Sequence, residues 1–450
     1  MHLHKRKTRL FHGWYVLVAS FIVLFLSGGS RAAIGVMVRP WELDLGWTRE
    51  AISSAQFLNL AIYALATIIT GRLYDRYGPK WIIIGSTLLF SGGHALMATM
   101  HSPGELYVYF GLLNAMGLAG VTVTLFGTLV GKWFEKWRGI CVTLAFAGTC
   151  IGQFLLVPFL SDMTVTFGWR AANLWIAGAC LVVNLALTFG VLRGEPLDYG
   201  LEPYGSHQEP TARSDALGDG APAGPTTLKN GAAAGAQTLP SSPAPRDLTL
   251  TEAMRSRSLW LFTIALFACG SADFLVLMHL VPMVRDHGLS ESVAASMLAW
   301  LGLLSLPGIL IAAPVAKRIG NKMPIAATFV LRFALFVMLL FVKNPATFWI
   351  FSLGFGLTLL VAAPLTTTLV SDLYGVRHLG FISGFVNTVH TIGGGVGAYL
   401  GGVVFQHTDD YNAAFIVSAA FAAVATVCSI LVREKRHLPP GNVAEVVSSS

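Results

Sequence analysis

Apolar runs, each about 20 residues long, recur through almost the whole of this 450-residue sequence. A run of that length is what an α-helix needs to cross the hydrocarbon core of a bilayer, which is about 30 Å thick. Such runs must form helices, because lipid offers no partner to an unpaired backbone group. The sequence therefore predicts an all-α integral membrane fold with twelve transmembrane helices. The runs cover residues 13–39, 50–71, 81–100, 106–131, 139–161, 170–192, 258–284, 291–315, 324–342, 346–370, 380–405 and 413–432.

The composition agrees with a lipid-facing surface and excludes most soluble folds. Hydrophobic residues make up 54% of the chain and charged residues only 12%, against roughly 25% charged in an average soluble domain. The five cysteines lie in apolar runs without paired spacing, so neither disulfides nor a metal site is predicted. No nucleotide-binding or hydrolase motif occurs, and we expect neither an enzyme nor a cofactor.

The basic residues indicate how the chain is oriented in the membrane. If the N-terminus lies in the cytoplasm and the spans alternate, most of the 30 lysines and arginines fall in cytoplasmic segments, as the positive-inside rule requires. The net charge of +7 is therefore an orientation signal, and no nucleic-acid partner is predicted. We expect a monomeric, multi-pass protein in the lipid bilayer of the plasma membrane, the inner membrane of a bacterium, with both termini cytoplasmic.

A change in composition divides the chain into two halves. Residues 205–246 are rich in Pro, Gly, Ala and Ser and have no apolar period, which is typical of a flexible linker. The predicted organisation is a first six-helix bundle at 1–193, a cytoplasmic linker at 194–257, a second six-helix bundle at 258–434 and a cytoplasmic tail at 435–450.

The two halves repeat each other at an offset of 242 residues: Arg76 falls on Arg318, and Gly78 falls on Gly320. Because six spans separate the copies, both have the same orientation in the membrane. The halves are therefore predicted to be parallel repeats related by an axis along the membrane normal. Two such halves enclose a shared central cavity, and rocking one against the other exposes it to each side of the membrane in turn.

The loop after the second span is the most specific local signal. Residues 71–80 read GRLYDRYGPK, in which glycine and proline make a turn while the aspartate and arginines can bridge neighbouring helix ends. We expect a latch that breaks when the halves rock. The loop resembles the signature loop of the major facilitator superfamily of transporters. The residues assigned to this gating loop are Gly71, Asp75, Arg76, Gly78 and Lys80.

Looser motifs resemble the monocarboxylate and oxalate:formate transporter branch of that superfamily. That branch moves small organic anions by proton symport or anion exchange. The resemblance implies a secondary active transporter that moves a monocarboxylate-like anion by alternating access, with a proton as the coupling ion. The motifs are Trp14, the loop at 132–139, Ala147 and Gly148 with Gly152, the triplet at 168–170 and the glycines Gly380 and Gly384.

Three formally charged side chains lie deep in predicted spans: Arg31, Asp273 and Arg332. A charge at mid-bilayer costs several kcal/mol when it faces lipid, so each should face protein or water. Arg31 and Asp273 are 242 residues apart and occupy equivalent positions of the repeat. We hypothesise that Arg31 anchors a substrate carboxylate and that Asp273 carries the coupling proton. The alternatives are a permanent salt bridge between the two and an outer-gate role for Arg31. Arg332 is interpreted as a helix-packing or snorkelling residue.

Several polar residues could complete the substrate site. His390 can be cationic near neutral pH, and Asn387 shares its helical face. An ordinary hydrogen bond in the core is the alternative for His390. Thr122, Thr124 and Gln153 could either hydrogen-bond a substrate or pack helices together.

The eighth predicted span departs from the family pattern, because it carries no charge between Leu298 and Gly308. Animal-type monocarboxylate transporters carry an aspartate and an arginine there. The cation must then come from Arg31 or His390, and a single monocarboxylate suits that arrangement better than a dianion. A second hypothesis stays open, in which the protein exports a drug or a neutral metabolite by proton antiport. A sensor or a membrane enzyme is disfavoured, since the histidines are dispersed and the chain adds only a linker.

Overall fold

The computed structural model describes residues 11–192, 194, 196–206, 250–374 and 379–433, which are almost entirely helical. Most of the predicted linker, at 207–249, lies outside the described residues. The first ten residues and the predicted tail at 435–450 lie outside them as well. The division into two bundles, a linker and a tail therefore stays a prediction at those boundaries.

Among the described residues of the first half, we number six long helices, α1 to α6. Helix α1 turns at Ala33, and α4 contains a break between Leu118 and Val123. The helical stretch Arg138–Gly190 is divided at Gly168, whose φ of 85° and ψ of 158° are not helical, into α5 and α6. The other bounds are α1 His12–Leu45, α2 Arg49–Tyr77, α3 Pro79–Met97 and α4 Pro103–Trp133.

In the described part of the second half, six more long helices, α7 to α12, follow a short helix at Leu250–Arg255. Helix α10 has a break between Leu359 and Ala362. The bounds are α7 Arg257–Asp286, α8 Glu291–Ile319, α9 Lys322–Phe341, α10 Pro345–Tyr374, α11 Leu379–Thr408 and α12 Asn412–Leu431.

Within the described ranges, nine helices are long and apolar enough to cross a membrane. One of them is the 53-residue stretch Arg138–Gly190. At 1.5 Å per residue it is about 80 Å long, more than twice the thickness of the hydrocarbon core. Pro79–Met97 and Leu379–Thr408 are not among the nine. The all-α membrane fold is thus confirmed, and the count of twelve spans stays a prediction.

Two pairs of glycines reveal the repeat in the backbone itself. Gly46 and Gly288, which are equivalent in the repeat, lie in the turns that follow α1 and α7 and have φ values of 66° and 82°. Gly78 and Gly320, the second equivalent pair, separate α2 from α3 and α8 from α9 with φ values of 76° and 89°. Glycine is the residue that adopts a positive φ without strain. The two halves therefore turn in the same way at the same points.

Helix caps repeat at the same offset. Thr48 and Ser290 cap the N-termini of α2 and α8, each accepting a hydrogen bond from the backbone N–H three residues on. Ser102 and Asn344 do the same for α4 and α10. A side-chain cap satisfies an N–H that would otherwise have no partner at the helix end. Because four helices begin on equivalent residues, the sequence repeat is also a structural one.

The predicted gating loop at 71–80 is mostly helical. Helix α2 continues to Tyr77, and α3 begins at Pro79, so Gly78 alone makes the turn. The prediction placed the end of the helix at residue 71, where the apolar run stops. A helix can continue past the hydrocarbon core, because its backbone hydrogen bonds are internal and its polar side chains can reach water.

The two halves are in contact toward one end of the bundle. We call the end where α6 finishes and α7 starts the linker side, and the opposite end the far side. Gln153 on α5 donates a 2.9 Å hydrogen bond to the carbonyl of Leu298 on α8. Ser53 on α2 packs against Gly402 on α11, and Gly35 on α1 packs against the backbone of α7. The cleft between the halves is thus closed toward the far side.

Candidate functional site

Asp273, in the middle of α7, lies at the centre of a buried charged cluster. Its side chain is only 6% exposed. Oδ1 lies 2.7 Å from Nη2 of Arg332 on α9, and Oδ2 lies 3.2 Å from Nε2 of His390 on α11. A carboxylate removed from water is tolerated when cationic groups compensate it. The two carboxylate oxygens of Asp273 are therefore held by two different helices of the same half.

Arg332 is fully occupied within this cluster. Its Nε donates to the hydroxyl of Thr358 at 2.9 Å, and its Nη1 donates to the carbonyl of Cys269 at 3.3 Å. The guanidinium also lies 4.7 Å from the ring centroid of Phe355, and the side chain is 1% exposed. Snorkelling, one of the two roles predicted for Arg332, is wrong, because the charge is held inside the bundle by Asp273.

Arg31 has very different surroundings. Its guanidinium carbon lies 4.8 Å from the ring centroid of Tyr63 on α2 and 5.0 Å from that of Phe274 on α7. Both distances are within the range of a cation–π interaction. Among the described residues, no acidic side chain forms a salt bridge with Arg31. Arg31 is thus a half-buried cation between one ring from each half, and Asp273 pairs with Arg332 and His390 instead of with Arg31.

A polar cavity lies beside Arg31 in the first half. Among its lining residues, the Nδ2 of Asn114 is buried without a hydrogen-bond partner, and no described residue bonds the amide of Gln56. A buried donor without a partner costs about 1–3 kcal/mol. The amide of Asn114 would therefore gain free energy from an acceptor that entered the cavity. The lining consists of Ser30, Arg31, Ile34, Gln56, Asn59, Phe90, His94, Phe110, Asn114 and Leu118.

Three side chains of the Asp273 cluster could in principle ligate a metal. One ligand atom each from Cys269, Asp273 and His390 lies within 4.8 Å of the others. Cys269 and Asp273 are one helical turn apart on α7, whereas His390 comes from α11, so no spacing in the sequence indicated the group. The guanidinium of Arg332 already binds the same carboxylate. That positive charge disfavours a metal cation, and we assign none.

A second buried charge cluster, which the sequence analysis did not predict, closes the far side. Arg49, the first residue of α2, has a side chain only 1% exposed. Its Nε and Nη2 donate to both carboxylate oxygens of Glu42 on α1, at 2.6 and 2.9 Å. Its Nη1 donates to Asp286 on α7 and to the hydroxyl of Tyr411 at the start of α12, at 2.7 Å each. Arg49 thus joins the two halves.

Four further predicted substrate residues lie outside the lining of the cavity beside Arg31. Thr122 is the N-cap of the second part of α4 and accepts a 3.2 Å hydrogen bond from the N–H of Leu125. Gln153 is bound to the carbonyl of Leu298, so its amide joins the halves. Thr124 and Asn387 are exposed. None of these four lines the cavity beside Arg31.

The residues assigned to the gating loop lie at the linker side. Arg76 and Lys80 are exposed, and each lies near an aromatic ring, that of Tyr77 at 5.3 Å and that of Phe189 at 5.2 Å. No heavy atom apart from the chain neighbours and its own helix lies within 4 Å of the Cβ position of Gly71. The side chain of Asp75 lies outside the described residues, and the latch that it would form stays a prediction.

Comparison with known proteins gives matches over nearly the whole chain. The family model described as Major Facilitator Superfamily matches residues 20–283 and 261–448. Monocarboxylate transporter 13 of Bos taurus is 23% identical, covering 91% of this chain and 86% of the relative. Monocarboxylate transporter 11 of Mus musculus is 27% identical, covering 91% and 85%. The uncharacterized MFS-type transporter YcxA of Bacillus subtilis (strain 168) is 21% identical, covering 93% and 94%.

Solved structures match at the level of the fold. A bacterial homolog of the human lysosomal transporter Spinster, in an inward-facing and occupied conformation, superposes with a TM-score of 0.68 at 14% identity, covering 94% of this chain and 97% of that one. The nucleoside transporter NupG superposes with a TM-score of 0.69 at 12% identity, covering 94% and 100%. At these identities the likeness concerns the fold alone.

Proposed function

Because this chain belongs to the major facilitator superfamily and is a transporter rather than an enzyme, we propose that its cargo is a small, monocarboxylate-like organic anion. We further propose that Arg31 is the anchor of that anion. The observation that carries the proposal is that Arg31 is a cation between Tyr63 of one half and Phe274 of the other, with no acidic partner among the described residues. A carboxylate would supply the missing charge and form charge-assisted hydrogen bonds with the guanidinium.

The donors that line the cavity beside Arg31 suit the same cargo, but the cavity has a volume of only about 10 Å³, enough for one water, so it must widen to admit the anion. Gln56 and the unpartnered Nδ2 of Asn114 offer hydrogen-bond donors next to the guanidinium. The rings of Tyr63 and Phe274 lie near the guanidinium, and a planar carboxylate can pair with its N–H groups. Because Arg31 is a single cation, one carboxylate suits it better than two.

Proton coupling is assigned to Asp273. The groups that face its carboxylate are Arg332 from α9, His390 from α11 and the thiol of Cys269 from its own helix. Protonation of the carboxylate would weaken its ion pairs with both cationic partners, and would allow α7, α9 and α11 to shift relative to one another. His390 therefore acts through Asp273 in this proposal, and not as a direct substrate ligand.

The orientation follows from the positive-inside rule, with the linker side in the cytoplasm. The contacts between the halves toward the far side then correspond to a cleft that is closed to the outside. Alternating access would require those contacts to separate before the anion is exchanged with the other side.

Counterflow in proteoliposomes tests the cargo. Proteoliposomes that contain the purified protein are loaded with unlabelled lactate, pyruvate, formate, oxalate or acetate. The uptake of the same labelled anion into the vesicles is then measured at two pH values. We expect exchange of at least one monocarboxylate and weaker exchange of the dianion oxalate. Exchange of no anion would contradict the assignment and would favour the export of a drug or neutral metabolite.

A further inference from the structure

The far-side cluster around Arg49 is the most extensively bonded buried charge that connects the two halves within the described residues. Besides its hydrogen bonds to Glu42, Asp286 and Tyr411, its guanidinium carbon lies 3.7 Å from the ring centroid of Phe405 on α11. A salt bridge between Arg39 and Asp286, at 3.7 Å, adds a second link across the same interface. Arg49 can make all of these contacts at once only when the two halves lie in this arrangement.

The partners of Arg49 fall into two groups that respond differently to rocking. Glu42 belongs to the same half as Arg49, and its two-point pairing can persist in any arrangement of the halves. Asp286 and Tyr411 belong to the other half, and their 2.7 Å hydrogen bonds would be lost after a separation of only a few ångströms. One partner is therefore constant, whereas the others are available only when the far side is closed.

We propose that Arg49 is a positioning residue of the transport cycle, which holds the far side closed by binding Asp286 across the interface. This inference rests on the alternating-access part of the proposed function, but not on the identity of the cargo. The pairing with Glu42 keeps the charge of Arg49 compensated when the far side opens. Opening then breaks the bonds to Asp286 and Tyr411 without leaving the guanidinium unpaired, so the interaction biases the equilibrium without locking it.

The repeat supplies a matched control. Asp44 is the repeat equivalent of Asp286, at the corresponding end of α1. It accepts hydrogen bonds from Nε1 of Trp169 and from Nη1 of Arg170, at 2.9 and 2.8 Å. Both donors lie in the same half as Asp44. The two aspartates are thus equivalent in position, but only Asp286 joins one half to the other.

The test measures how often the far side opens. Ser53, which is fully buried where α2 meets α11, is replaced in Ser53→Cys as a reporter. A water-soluble maleimide is applied to purified protein without substrate, and labelling of the peptide that contains residue 53 is followed by mass spectrometry. The other substitutions are made in the Ser53→Cys background. We expect position 53 to be labelled about tenfold faster in Asp286→Asn than in Ser53→Cys alone, and at an intermediate rate in Arg49→Lys. In Asp44→Asn the labelling rate should stay within about twofold of that in Ser53→Cys alone.

A distance measurement distinguishes opening from loss of the fold. Spin labels on Leu43→Cys and Asp409→Cys, both exposed at the far side, report the separation of the two halves there. When Asp286→Asn is added to this spin-labelled protein, we expect a second, longer distance between the labels. That distance should be rare without the substitution and in Asp44→Asn. Equal labelling rates and unchanged distances in the two aspartate variants would overturn the proposal. Equal increases in both variants would overturn it too, because the effect would then be a general loosening. Neither result would bear on the anion, since no substrate is present.

Discussion

Arg31 and Asp273 occupy equivalent positions in the two halves, but their surroundings are opposite in kind. Asp273 is bound by two cationic side chains of its own half, Arg332 and His390. Arg31 lies near two aromatic rings and has no acidic partner among the described residues. The repeat equivalent of Arg332 is Phe90, which lines the cavity beside Arg31. One half therefore compensates its intramembrane charge, while the other leaves it available to a ligand.

This difference suggests a division of labour between the halves. A compensated charge stabilises a fold and responds to protonation, whereas an uncompensated one attracts a counter-ion. Variants that remove one charge at a time should then have different consequences on the two sides. The following variants test that expectation, beginning with the largest effect.

Arg332→Gln should cost the most stability. It leaves the Asp273 carboxylate buried with His390 as its one remaining cationic partner among the described residues, and removing one partner of a buried pair typically costs about 3–5 kcal/mol. We expect a clearly lower melting temperature of the detergent-solubilised protein and a lower yield of monodisperse protein.

The matched variant is the double substitution Asp273→Asn with Arg332→Gln, which removes both charges. It should recover most of the lost stability but should not accumulate substrate against its gradient when a proton gradient is imposed. If the double variant were as unstable as Arg332→Gln, the ion pair would not be the cause of the loss.

Arg31→Gln should affect binding rather than stability. No acid among the described residues loses a partner, so the melting temperature should change little. A hydrogen bond to a charged group contributes about 1.5–3 kcal/mol, which corresponds to roughly a 10- to 100-fold rise in the KM for counterflow. Arg31→Lys, which keeps the charge but not the planar donor geometry, should lie between. A normal KM in Arg31→Gln would remove Arg31 from the substrate site.

Phe274→Leu should have the smallest of these effects. It removes one of the two rings beside the half-buried Arg31, and a cation–π contact that is not fully desolvated contributes about 0.5–1 kcal/mol. We expect the KM for counterflow to rise by about two- to fivefold, with little change in the maximal rate. Tyr63→Phe, which keeps its ring, should behave as the unaltered protein does. A KM rise in Tyr63→Phe would indicate that the Tyr63 hydroxyl contributes as well as its ring.

The sequence predicted the architecture well, because the signals for it are local or periodic. The apolar runs identify helices, and the repeat offset identified equivalent turns such as Gly78 and Gly320 before their φ values were known. The predicted end of α2 at residue 71 was wrong, because the helix continues to Tyr77. The end of an apolar run shows where lipid contact stops and not where the backbone turns.

The sequence predicted the site only in part. Arg31 and Asp273 were found because a charge inside an apolar run is conspicuous. The pairing of Asp273 with Arg332 was not predicted, since Arg332 lies two helices further along the chain and nothing in the spacing links the two residues. Arg49 was overlooked because it follows directly after a turn and precedes Glu50, so it looked like an ordinary residue at a helix end. Only the packing of the two halves reveals that its charge is buried.

The depth at which Arg49 lies determines how the far side responds to salt. The side chains of Asp44 and Arg170 are 51% and 41% exposed, whereas those of Arg49 and Asp286 are only 1% and 18% exposed. Raising the ionic strength from 0.1 to 1 M shortens the Debye length from about 10 to about 3 Å, and this screens exposed pairs far more than buried ones. At high ionic strength the exposed Asp44–Arg170 pair should therefore weaken while the buried Arg49–Asp286 pair persists, so closure of the far side by Arg49 should depend little on the salt concentration.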